Sequence, residues 1–95
     1  MENSNTAFLR LDLFLKRSRL LKRRSLAATL CENGYVTLNG RLAQPGKRVH
    51  DGDRIGIRYP KKQILVQVTG IPETSRNDPN CYLILREERI EDEPF

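Results

Sequence analysis

The stretch RSRLLKRRSL, residues 17–26, sets five cations among leucines. Extended back to residue 10, the segment carries Arg10, Lys16, Arg17, Arg19, Lys22, Arg23 and Arg24 against one acid, Asp12. Seven cations less one acid leave a local excess of six, more than the formal +5 of the whole 95-residue chain. The charge is therefore a patch, and the remainder of the protein is close to neutral. Arginine offers a planar fork of donors and a helix start offers free N–H groups, a combination that holds phosphate. The chemistry on offer is anion binding, and a basic patch on so small a chain points to nucleic acid. His50 stands without a nucleophile or second ligand nearby and reads as a surface or turn residue. Cys31 and Cys81 share no metal-ligand spacing and read as two half-buried thiols of a reducing compartment. No metal and no cofactor is expected.

The elements that position the patch follow from periodicity. Apolar residues recur at helical spacing from Leu9 through Leu11, Phe14 and Leu15, with Asp12 in the first turn and Lys16 four residues later. Leu26, Ala27, Leu30 and Cys31 mark a second helix over about 22–33, closed by Gly34. Lys22, Arg23 and Arg24 then fall in its first turn, where the helix dipole makes each cation unfavourable by about 0.3–1 kcal/mol. No internal compensation is visible in the sequence, so an external anion is the expected partner. Leu20, Leu21, Leu26 and Leu30 are expected to cover a sheet, which leaves no apolar face for a membrane surface.

Beyond Tyr35 the period changes to two. Val36 and Leu38 share a face, and Asn39-Gly40 supplies a tight turn before Arg41 and Leu42. Pro45-Gly46 and Asp51-Gly52 are further turns, followed by alternation at Ile55 and Ile57, at Ile64, Val66 and Val68, and in CYLILRE. Two helices followed by four or five strands predict an α+β fold. Ninety-five residues suit one domain with a thin core, a size better matched to a binding module than to a cofactor enzyme. The expected organisation is a leader over 1–7, one domain over 8–90 and an acidic tail over 91–95. Within the domain, a core carrying the basic patch spans about 10–58 and C-terminal strands about 63–87, the last two strands being separated by a turn-rich loop, PETSRNDPN. No apolar run is long enough to span a bilayer, and MENSNTAFLRLDLF lacks the cationic start of a secretory signal, so a cytoplasmic location is expected.

RLDLFL, KRRSLAATLCENGYVTLNG and VHDGDRIGI, in that order and spacing, resemble the S4 RNA-binding domain. The resemblance implies the α-L motif, two helices packed on a small antiparallel or mixed sheet. RLDLFLKRSRLLKRRSLA and the closing YLILREE extend the likeness over nearly all residues after the leader. Within the superfamily, the chain is similar to the stand-alone S4 proteins of ribosome-associated quality control, the short bacterial form close to the heat-shock-protein-15 group. Where many S4 domains place a serine N-cap, this chain has Arg23, and the long basic C-terminal extension of the heat-shock branch is replaced here by an acidic end.

The resemblance implies a non-catalytic factor that binds obstructed large ribosomal subunits, contacts 23S rRNA and peptidyl-tRNA, and supports C-terminal alanine tailing of stalled nascent chains. It implies a tailing partner of the fibronectin-binding type, and a monomer is expected. By position, Arg10 and Arg24 match the family's phosphate-binding arginines. The full candidate set is Arg10, Lys16, Arg17, Arg19, Lys22, Arg23, Arg24, Asn39, Gly40, Arg41 and Lys47. Asn39 and Gly40 are turn-formers first, and Lys61 and Lys62 are read as solubilising. The tyrosines lack the paired aromatic motif of base-stacking sheets, so recognition of shape and phosphate is expected. A heat-shock-protein-15-like recycling factor, or another S4 protein binding rRNA or tRNA, is the alternative within the family. The alternative outside it is an S4-fronted enzyme fragment, disfavoured because no carboxylate sits in a recognisable catalytic loop and no nucleotide fold follows. An adaptor using a sheet edge at Ile64–Ile71 is compatible with the leading reading. Neither Arg10 nor Arg24 is expected to support the core, and loss of Arg24 is expected to raise stability slightly.

Overall fold

A computed structural model describes residues 7–72 and 80–90. The expected leader up to residue 6, the loop at 73–79 and the acidic tail at 91–95 lie outside the described residues. In chain order the elements are β1 (Phe8–Arg10), α1 (Leu11–Arg17), α2 (Arg24–Glu32), β2 (Val36–Leu38), β3 (Arg41–Leu42), β4 (Arg48–His50), β5 (Arg54–Arg58), β6 (Lys62–Val68) and β7 (Tyr82–Arg89). β3, β2, β5, β6 and β7 form one antiparallel sheet in that order, and β1 pairs with β4 in a separate antiparallel ribbon.

Alternation puts Val36, Leu38, Ile55, Ile57, Ile64, Val66 and Val68 on the inner face of the sheet, where all are buried. Leu11, Phe14 and Leu15 of α1, each fully buried, pack in the same core with Ala27 and Cys31 of α2. Asn39 and Gly40 take positive φ, 52° and 86°, and join Leu38 to Arg41 as a two-residue turn. The Asn39 side chain donates to Asp53 at 3.1 Å and accepts the Arg54 amide at 2.9 Å, so it ties this hairpin to the next turn.

The structure corrects several element boundaries. Helix α1 starts at Leu11, because Phe8, Leu9 and Arg10 are extended and pair with His50, Val49 and Arg48. Leu9 points at the core as Leu11 does, and three residues do not separate a period of two from a helical one. Helix α2 starts at Arg24, so Lys22 lies outside it and Arg23 is an extended N-cap with no side-chain cap bond. Leu26 is 41% exposed, while Leu20 and Leu21 are buried. Strand β6 lies between β5 and β7, so the free edge on that side of the sheet belongs to β7. The four or five strands expected of one sheet are met by the five-stranded sheet, and β1 and β4 are additional.

The inter-helix linker is pinned from both sides. Ser18 is fully buried, its hydroxyl donating to Leu15 O at 3.2 Å, and the Leu21 amide reaches Leu15 O at 3.0 Å. The Tyr59 hydroxyl donates to Leu20 O at 2.7 Å from the sheet side. Burial, with Tyr82 and Glu87 adding, lifts the Tyr59 phenol from 10.0 to about 12. Burial likewise lifts the Cys31 thiol from 9.0 to about 11, with the charges of Asp12 and Glu32 adding. Both groups fold as neutral acids with raised pKa. Their contribution to stability is therefore complete below about 9 and is lost as pH rises towards 11 and 12. Urea midpoints measured against pH should fall on the alkaline side above about 9. Tyr59→Phe should lower the midpoint at neutral pH by the equivalent of about 1–3 kcal/mol, since it leaves Leu20 O without its donor.

Candidate nucleic-acid interface

Asp12 is 3% exposed, and its carboxylate is the centre of the cationic patch. Arg10 donates from Nε to Oδ1 at 3.3 Å and from Nη2 to Oδ2 at 3.2 Å, a two-pronged pair. Arg24 Nε lies 3.5 Å from the same Oδ2. The chain segment from the end of β1 and the first turn of α2 are thus joined through one acid on α1. Both arginine side chains remain about half exposed, 53% for Arg10 and 48% for Arg24. Each guanidinium has five N–H donors and spends only part of them on Asp12. Two cations against one acid leave the group positive and able to accept phosphate.

Asp12 corrects the view that Arg24 has no internal partner. Against the expectation that neither Arg10 nor Arg24 supports the core, each is a partner of a buried carboxylate, so removal of either is expected to destabilise the fold.

The two helix starts differ. At α1 the Leu11 and Asp12 amides donate to Lys47 O at 2.8 Å and Pro45 O at 3.0 Å, so the 45–47 loop already caps them. At α2 no side chain caps the helix and no acid lies in the first turn. Arg23 and Arg24 stand there beside amide groups that lack a side-chain acceptor, the arrangement that favours an anion.

The 45–47 loop extends the patch. Gly46 lies against the Arg10 guanidinium, where a Cβ would come 3.7 Å from Nη2. A surface depression lined by Gly46, Lys47 and Asn39 continues from it. Lys22 and Arg23 share a second depression with Ser25, Leu26 and Thr29 at the start of α2. Arg10 and Arg24 are therefore joined on Asp12, Asn39 and Lys47 line the depression beyond Gly46, and Lys22 and Arg23 adjoin Arg24 at the start of α2.

The remaining candidates are placed differently. Lys16 and Arg17 occupy the last turn of α1, about 10 Å along the axis from Arg10, where cations favour the helix dipole. Arg19 sits just beyond that helix with φ 67°, a left-handed position where glycine is the usual residue. An arginine there is strained by about 1–2 kcal/mol. Arg41 lies on the exposed strand β3, and Gly40 at the turn tip has open space around its Cα. None of Lys16, Arg17, Arg19, Lys22, Arg23, Arg41 and Lys47 forms an ion pair with a described residue. Lys62, read as solubilising, pairs with Glu87 at 3.6 Å across exposed surface.

In the sequence Asp12 is an ordinary first-turn acid, and its bridging role emerges only from the contact between α1 and α2. In the sequence Gly46 signals only a turn. Its closeness to Arg10 follows from β1–β4 pairing, which the helical reading of Leu9 concealed.

Residues 9–55 match a family model described as S4 domain. Over 84 residues the chain is 44% identical to the RQC P-site tRNA stabilizing factor of Halalkalibacterium halodurans, covering 86% of this chain and 96% of that protein. The chain belongs to this S4-domain family. The Bacillus subtilis RQC P-site tRNA stabilizing factor is 39% identical over 84 residues, 86% of this chain and 98% of that one. A heat shock protein 15 homolog of Aeromonas salmonicida is 34% identical over 82 residues, but these make up only 62% of that longer protein. The solved structure of Vibrio cholerae heat shock protein 15, described as trimeric, superposes with a TM-score of 0.74 at 32% identity, covering 82% of both chains. The family's S4 fold, two helices on antiparallel strands, is the one observed here.

Arg24→Ala should lower stability by about 1 kcal/mol, a value kept small because the arginine is half exposed. Asp12→Ala should cost more than either arginine loss, as the shared acceptor of both, and thermal melts of the three variants decide the order. Arg19→Gly should leave the melt unchanged or higher, by relieving the left-handed strain.

Proposed function

We propose that this chain is a non-catalytic RNA-binding factor of ribosome-associated quality control, cytoplasmic and ribosome-associated. In this reading it binds large subunits obstructed by peptidyl-tRNA, contacts 23S rRNA and tRNA, and supports alanine tailing of the stalled chain by a partner of the fibronectin-binding type. The observation that carries the reading is the likeness to relatives named RQC P-site tRNA stabilizing factor, which runs along 96% of the first of them. The geometry supports it through the Arg10–Asp12–Arg24 group and the uncapped, cationic start of α2. A recycling role of the heat-shock-protein-15 kind has weaker support, since the chain spans only 62% of that relative.

Arg10 and Arg24 carry the central phosphate contacts in this proposal, with Lys22, Arg23 and Lys47 beside them. Lys16, Arg17, Arg19 and Arg41 supply outer contacts. Asn39 and Gly40 act by shaping the turn and presenting backbone, because the Asn39 amide is already committed to Asp53 and Arg54.

Co-sedimentation with large subunits carrying peptidyl-tRNA tests the proposal. With the two central arginines and one to three of their immediate neighbours making direct phosphate contacts, three to five in all, the log–log slope of affinity against salt should be roughly −3 to −4. Because alanine at residues 10 and 24 is expected to weaken the fold as well as binding, the informative variant is the double Arg→Lys change, which keeps charge beside Asp12 and loses the planar fork. It should reduce binding by roughly tenfold, while Lys61→Ala with Lys62→Ala should leave it unchanged. Binding that is flat with salt, or equal loss for both pairs, would contradict the assignment.

A further inference from the structure

The β1–β4 ribbon has two faces with different jobs. Its register pairs Phe8 with His50, Leu9 with Val49 and Arg10 with Arg48. Leu9 and Val49 point inward, and Val49 is fully buried. Phe8, Arg10, Arg48 and His50 therefore share the outward face by strand alternation. Two arginines stand opposite each other on it, an arrangement that is unfavourable in isolation. Phe8 is 44% exposed and lies outside the buried core. The Arg48 guanidinium lies over one face of the Phe8 ring, 4.6 Å from its centroid, and the His50 ring is tilted against it at 5.8 Å, so a stacked base would take the ring's other face or displace Arg48.

An exposed aromatic ring among cations, with no core to fill, is the surface that a nucleotide fits: a base on the ring and phosphate on the guanidinium groups. Arg10 belongs to both this face and the Asp12 group, so the ribbon continues the phosphate site. We propose that the outward face of the ribbon is a stacking platform on which Phe8 receives an unpaired RNA base. The neighbouring phosphates lie on Arg10 and Arg48. The proposal rests on the RNA-binding reading and adds to it a base contact that the three tyrosines do not provide.

The test compares a fluorescently labelled oligoadenylate with an abasic ribose-phosphate strand of equal length, using the full chain and anisotropy. The two probes carry the same phosphates and differ only in their bases. Wild type should prefer oligoadenylate by roughly tenfold, the scale of one base on one aromatic ring. Phe8→Ala should lose the preference while keeping its affinity for the abasic strand, and Phe8→Tyr should retain it. Phe8→Leu keeps apolar bulk in the ribbon and should also lose the preference, with an unchanged melt. Retention of the preference in Phe8→Leu, or equal binding of the two probes by wild type, would overturn the platform and leave the phosphate site standing. Absence of binding to both probes and to large subunits would overturn the RNA-binding reading, and the platform with it.

Discussion

A buried carboxylate has to be paired, and in this protein the pairing of Asp12 determines where the arginines go. Helices α1 and α2 have seven and nine residues, too short to persist without tertiary support. From α1, Asp12 reaches α2 through Arg24 and the end of β1 through Arg10, while its own amide docks α1 on Pro45 O. The carboxylate holds each guanidinium from one side and leaves the other half in solvent. Donors are thereby fixed in direction before a ligand arrives, which reduces the conformational entropy lost on binding. In the proposed reading the same acid serves folding and pre-organisation.

Around this group the molecule divides its labour. One face of the five-stranded sheet closes the core, and the linker between the helices is held by Tyr59 and Ser18. That linker carries Arg19 and Lys22, so residues that look like a free charge run are attached to rigid supports. The capped start of α1 and the uncapped start of α2 show how two similar cationic helix ends can differ. The first has its amides satisfied by a loop, and the second leaves them available beside Arg23 and Arg24.

Much of this was legible from local pattern. Alternation at Ile55 and Ile57, and at Ile64, Val66 and Val68, located two strands of the sheet, and Asn39-Gly40 marked its tightest hairpin because both residues must take positive φ. The excess of cations between Arg10 and Arg24 located the patch. What stayed hidden required contacts between distant segments. Asp12 reads as an ordinary first-turn acid until α2 is packed beside it. Phe8 reads as the entry to a helix until His50 and Arg48 are paired opposite it, some forty residues away. Leu26 has helical spacing with the core residues yet is exposed, because α2 buries only a narrow stripe at Ala27 and Cys31 with Leu30 partly covered.

The central claim is that Arg10 and Arg24, aimed by Asp12, grip the RNA backbone of an obstructed large subunit. The most direct measurement is an electron cryomicroscopy reconstruction of the chain bound to that particle at side-chain resolution. The account predicts both guanidinium groups within hydrogen-bond distance of phosphate oxygens, about 2.7–2.9 Å, with Asp12 still bridging them. A bound chain that presents β7 or the outer sheet face to the RNA, with Arg10 and Arg24 turned to solvent, would contradict it.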